Sequence, residues 1–210
     1  MKSLVIVGAS GFGREVRKYV RDINIDEPTW EFLGFVDDGL QGKTPEGDTI
    51  LGNLDYLLNM NPRPFFCVAI ANSKVRQKLA EKLEKNGFLP ATIIHPSAKI
   101  GPNVIIGKGS IICMQCILTT NPRIGDYCIF NNNCSCGHDT VLGDYVSIMS
   151  DTVLAGDDNV GDHCYFGLHC TVINQLNLVG GCTFGAGSVV VKNITEPGTY
   201  VGVPAKKINR

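Results

Sequence analysis

The chain has 210 residues, 44% hydrophobic and 19% charged, enough to bury one large core or two modest ones. A formal net charge of -1 without a Lys/Arg cluster leaves no electrostatic footprint for nucleic acid or an anionic membrane. The opening apolar run breaks at Gly8, too soon for a signal peptide or a membrane span, so a cytoplasmic location is expected.

Residues 1–90 read as a small α/β unit. Ser3 to Val7 is an apolar strand, GASGFG follows at Gly8 to Gly13, and Arg14 to Ile23 reads as a helix. Trp30 to Val36 is a second strand, closed by Asp37, Asp38 and Gly39. Phe65 to Ile70 is a third, and a helix from Ser73 to about Lys85 is ended by Gly87. This order implies a short parallel sheet with a Rossmann-like beginning. GASGFG is G-x-x-G-x-G, which differs from the dinucleotide fingerprint. Its glycines nevertheless allow a phosphate close to the backbone, and the following helix N-terminus favours negative charge. Asp37 and Asp38 stand where a carboxylate accepts hydrogen bonds from a ribose or a base. The rival reading is a tight strand-to-helix turn and a solvated acidic turn. About 80 to 90 residues are too few for the double fold that spans a dinucleotide, so a mononucleotide handle is expected.

Residues 91–210 follow a different rule. Stepping by six from Ile94 to Val190 meets Ile, Leu, Val, Phe or Cys at every first position, seventeen units without a frame slip. Fifth positions are mostly small, as at Ala98, Ser110, Cys116, Thr140 and Ser188. In an α-helix a period of six sets successive anchors about 240° apart, so they never share a face. A coil of three flat segments satisfies the pattern, with the anchor inside and the small residue near the corner. At about 4.8 Å per layer, the five to six coils stand roughly 27 Å high. The expected fold class is an α/β Rossmann-like subdomain followed by an all-β hexapeptide-repeat β-helix with a short tail.

His95, His138, His163 and His169 fall at second, third, fourth and fourth positions, which are expected to face outward. His138 stands out because Asp139 follows it, giving an imidazole a carboxylate able to orient it and stabilise its protonated form. Six of the nine cysteines, Cys116, Cys128, Cys134, Cys164, Cys170 and Cys182, are separated by multiples of six and match no zinc-ligand spacing. They read as small reduced core residues, which disfavours an acyl-cysteine mechanism.

GASGFGREV near the start, GFVDD at Gly34 to Asp38, VAIANSKVRQKL at Val68 to Leu79, GHDTVLGDYV around His138, FGAGSVVVKNI, and VGVPAKKI at Val201 to Ile208 occur in this order. Over nearly its whole length the chain thereby resembles the NeuD/PglD-like sugar O-/N-acetyltransferases. The resemblance implies a left-handed coil, which the period alone does not fix. It implies acetyl-CoA as co-substrate, no metal, His138 as general base supported by Asp139, and direct transfer without an acyl-enzyme. By the same resemblance, nucleotide-sugar contacts map onto Ser10, Gly11, Phe12, Asp37, Asp38, Ala71, Asn72 and Asn131. CoA contacts map onto Ser147, Gly156, Leu168, Ala186 and Lys206, the last toward a phosphate. Phe12 and Ser147 depart from the family, whose members often carry His at both places. Relatives are homotrimers with the active site between neighbouring prisms, and a convex prism does need a second wall to exclude water.

The implied activity is N-acetylation of a UDP- or GDP-linked 4-amino-4,6-dideoxy sugar for surface polysaccharide or glycoprotein glycans. O-acetylation of sialic acid or of a polysaccharide hydroxyl is the rival, since one base serves either acceptor. A trimeric scaffold without chemistry is the alternative of another class. A zinc enzyme of the carbonic-anhydrase type shares the prism, but the histidine spacing offers no ligand set.

Overall fold

In the computed structural model, which describes residues 1–209, the chain divides into two units after Pro96. The first runs β1 (Lys2–Val7), α1 (Gly11–Asp26), β2 (Trp30–Val36), β3 (Gly42–Lys43), β4 (Thr49–Gly52), α2 (Leu54–Leu58), β5 (Phe65–Val68) and α3 (Ser73–Lys85). The sheet order is β3-β4-β2-β1-β5, parallel except where β3 and β4 pair. Central β1 is buried from Leu4 to Val7, as a parallel strand covered on both faces must be. α1 buries Gly13, Val16, Tyr19 and Val20, the spacing of a single helical face.

Helix α1 starts inside the glycine motif, three residues earlier than the sequence suggested, and the third strand ends at Val68. The stretch 42–58 carries β3, β4 and α2, elements too short for periodicity to announce. One expectation is corrected: His95 does not face outward. It is 8% exposed, lies edge-on to Tyr19 at 5.2 Å between ring centroids, and brings Nε2 to 3.3 Å from Asp22 Oδ2. Tyr19 and Asp22 of α1 cover the ring, which takes this second position out of solvent.

In the second unit, two-residue strands recur every six residues from Lys99–Ile100 to Val189–Val190, and each as far as Thr171–Val172 pairs in parallel with the strand eighteen residues on. Three segments therefore complete one coil. Every anchor from Ile112 to Val190 is buried, and Phe166 stacks on Phe184 at 4.8 Å along the axis. Ile100, where the stack begins, is 40% exposed. The tail adds Thr199–Val201 in parallel and returns antiparallel as Lys206–Ile208.

The corners explain the small fifth positions. Fourth-position residues such as Asn121, Asp139, Asp157, His163 and His169 have φ between 55° and 66°, which bends the chain between faces. Asn and Asp tolerate this left-handed conformation best among non-glycine residues. Each is then followed by an inward fifth residue, and Cys116, Cys128, Cys134, Cys164, Cys170 and Cys182 are all fully buried there. No helix among the described residues is long and apolar enough to cross a membrane.

Candidate active site

His138 projects from the corner after the strand Ser135–Cys136, and Asp139 occupies the left-handed corner position with φ 57°. That bend turns the carboxylate back toward the ring, and His138 Nδ1 lies 2.8 Å from Asp139 Oδ2. Since a carboxylate only accepts, Nδ1 donates and the Nε2 lone pair faces away from the pair. Asp139 is itself held. Asn121, eighteen residues earlier at the same corner, donates from Nδ2 to Asp139 Oδ1 at 2.7 Å. The Asn121 bond, and after it the His138 bond, keep the Asp139 carboxyl below the ordinary carboxylate value. Both side chains are more than half exposed, 61% and 51%.

Nε2 looks over Gly156 on the next coil. A Cβ at Gly156, whose φ is +144°, would stand 3.1 Å from both Cδ2 and Nε2 of His138. Glycine is therefore the residue that leaves this ring its place. Asp157 N–H donates to the His138 carbonyl at 2.7 Å, which fixes the spacing of the two coils at the corner.

The first unit carries a separate cavity of about 470 Å³, large enough for a small ligand. Gly8, Asp38, Leu54, Ile70, Lys78 and Lys82 are among its walls, so apolar, acidic and basic side chains all border it. Asp37 also borders it, yet its carboxylate is occupied by the fold. Oδ2 accepts from Ala9 N–H at 2.9 Å, and Oδ1 accepts from Gly39 and Leu40 N–H at 2.8 and 3.0 Å. Asp38 Oδ1 accepts from Leu54 N–H at the start of α2.

Residues 3–83 match the PglD N-terminal domain family. The chain is 34% identical over 135 residues to a GDP-perosamine N-acetyltransferase of Escherichia coli O157:H7, a match spanning 64% of this chain and 61% of that protein. The solved structure of WeeI from Acinetobacter baumannii AYE superposes with a TM-score of 0.90 at 33% identity, covering 99% of this chain and 100% of that one. This chain belongs to the NeuD/PglD-like sugar acetyltransferases. A further NeuD/PglD-like fold, perosamine N-acetyltransferase from Caulobacter crescentus, superposes with a TM-score of 0.94 at 27% identity over 100% of this chain and 98% of that one. It was solved in complex with CoA and GDP-perosamine after a histidine was exchanged for asparagine.

The other family-implied contacts of this NeuD/PglD-like chain scatter between the two units. Ser10 and Gly11 are exposed at the start of α1, where Ser10 is the N-cap without a side-chain cap bond, and Phe12 is half-buried. Of the motif's glycines, Gly13 is demanded by packing, since a Cβ there would lie 1.9 Å from the Gly8 carbonyl oxygen, whereas Gly11 faces open space. The Ala71 carbonyl accepts from Arg76 Nη1 at 3.0 Å, and Asn72 caps α3 by accepting from Lys74 and Val75 N–H. On the prism, Asn131 Oδ1 accepts from Asn132 N–H and the residue is half-buried. Ser147 is fully buried and presents no surface. Leu168, Ala186 and Lys206 are exposed.

His163 stacks on Tyr145 at 5.2 Å, which in turn stacks on Tyr127, so it belongs to a ring column on another corner. His169 Nε2 lies 3.7 Å from Asp151 Oδ2. Asn121 was missed in the sequence, although its offset of one full coil from Asp139 was the available signal. All nine cysteines are buried free thiols, and burial pushes Cys67, Cys136 and Cys170 up to about 12. Thiols so held are poor nucleophiles. Among the described residues no group of three or more His, Cys, Asp or Glu is placed to hold a metal ion.

Proposed function

We propose that this protein transfers the acetyl group of acetyl-CoA to the amino group of a nucleotide-linked aminodeoxy sugar, with His138 as the general base. The observation that carries this reading is the Asn121–Asp139–His138 chain, which holds Nδ1 as the donor and leaves Nε2 as the acceptor. The relative from Escherichia coli named above is an N-acetyltransferase of GDP-perosamine, which favours an amine acceptor over a hydroxyl.

In this mechanism Nε2 accepts the proton released as the amine nitrogen bonds to the thioester carbonyl carbon. Asp139 stabilises the imidazolium through Nδ1–H, and Nε2 then returns the proton to the sulfur as the C–S bond breaks. An acyl-enzyme is unnecessary, because the amine is itself a sufficient nucleophile once deprotonation is provided. We assign the nucleotide to the cavity of residues 1–90, with Asp38 accepting from ribose or base and Lys78 and Lys82 near the phosphates. Residues 91–210 supply the chemistry, with CoA reached through Leu168, Ala186, Gly156 and Lys206. The assembly is a homotrimer whose neighbouring prisms close the site. Nine free thiols suit a reducing compartment and support a cytoplasmic location.

Purified protein incubated with acetyl-CoA and UDP- or GDP-linked 4-amino sugars should release CoA and give the acetamido product, while free sialic acid should not react. Replacing His138 by Ala should lower turnover by roughly 10² to 10⁴, the range for a lost general base, with thermal unfolding unchanged. Near-normal turnover in that variant removes His138 from the role.

A further inference from the structure

Fifth positions along this coil hold small or apolar residues, and Asp158 is the exception. Its side chain enters the prism and is 0% exposed, on the coil that follows His138. An ionised carboxylate is costly to bury unless the fold uses it. Oδ1 accepts from Leu176 N–H at 2.9 Å, whereas Oδ2 makes no hydrogen bond among the described residues. Burial raises this carboxyl above the ordinary range, and the nearby backbone of Leu176 and Gly156 acts in the opposite direction.

The bond to Leu176 is half of a clamp. Gln175 N–H donates to the Gly156 carbonyl at 3.0 Å, so residues 175 and 176 grip both ends of the three-residue turn 156–158. On its other side the same turn donates Asp157 N–H to the His138 carbonyl and presses Gly156 against the His138 ring. Among the described residues the turn has no other side-chain anchor, because Asp157 is exposed and Gly156 has no side chain.

We propose that Asp158 is a positioning residue that clamps the Gly156 turn and thereby sets the orientation of the His138 imidazole. The inference rests on the reading of His138 as the base. It predicts that Asp158 acts on turnover through His138, not on substrate binding, since it touches neither the outer surface nor solvent.

The test uses the full-length protein, steady-state kinetics and side-chain ¹⁵N NMR of His138. Asp158→Val, which matches the valines at other fifth positions, removes the acceptor. It should lower kcat by about 10-fold or more with KM for acetyl-CoA unchanged, and shift the His138 nitrogen resonances. Asp158→Asn keeps an acceptor for Leu176 N–H and should rescue both readouts. Leu176→Pro removes the donor instead; Pro122 occupies the same column three coils earlier, behind the left-handed Asn121, so the coil accommodates proline there. It should reproduce the Asp158→Val effects, which keeps the idea testable if the valine variant fails to fold. Wild-type kcat and unshifted His138 resonances in either disruptive variant overturn the proposal, as does an equal loss in Asp158→Asn. A wild-type protein without acetyl transfer would instead defeat the reading of the base, while the NMR comparison would still judge the clamp.

Discussion

At the scale of single residues, the site depends on how Asp139 is held. A left-handed corner brings its carboxylate to the ring of the preceding residue, and Asn121 fixes the carboxylate from one coil away. A carboxyl held below its ordinary value of 3.8 is favourable to the folded state above that value and loses this contribution only as pH falls through the lowered one. Asp139 thus remains charged wherever the enzyme would be assayed. Asp139→Asn keeps an oxygen for Asn121 but loses the charge that stabilises the imidazolium. Turnover should fall about 10- to 10²-fold, part of the whole proton-transfer contribution. Unchanged turnover would mean that the pair is decorative.

At the scale of elements, stability lies in the columns that run up the prism. Phe166 and Phe184 stack at 4.8 Å and both are fully buried, so Phe166→Ala should cost about 3 to 5 kcal/mol, read as a lower denaturant midpoint. The coil was legible because one anchor in six repeats through seventeen units, and repetition averages out local exceptions. β1, β2 and α3 were legible for the same reason on a smaller scale, each having a face long enough to carry a pattern. β3, β4 and α2 were not, since two to five residues carry no period. At the site, the His138–Asp139 pair was visible as neighbours in the chain. Asn121, Asp158 and the packing of Gly156 against the ring were not, because their relation to the pair lies across coils. Asp37 shows a role that its place at the end of β2 did not announce: three backbone N–H groups engage its carboxylate.

At the scale of the whole molecule, the question is what closes a site that stands on a convex corner. The face leading to His138, built on strands such as Ser135–Cys136 and Val153–Leu154, leaves Ile117, Val153, Ile173 and Val191 between 39% and 47% exposed. Four branched apolar side chains on one face are a natural interface, and their place beside His138 would bring a second wall to the imidazole. A double exchange, Val153→Arg with Ile173→Arg, places charge where that wall would pack without touching the buried anchors. Light scattering should then report one chain in place of the three of the proposed trimer, while circular dichroism and cooperative unfolding persist because each coil still rests on its neighbours. Turnover should drop about 10²-fold through lost positioning of the substrates. Full activity in a proven monomer would show that one prism suffices and that these apolar residues serve some other contact.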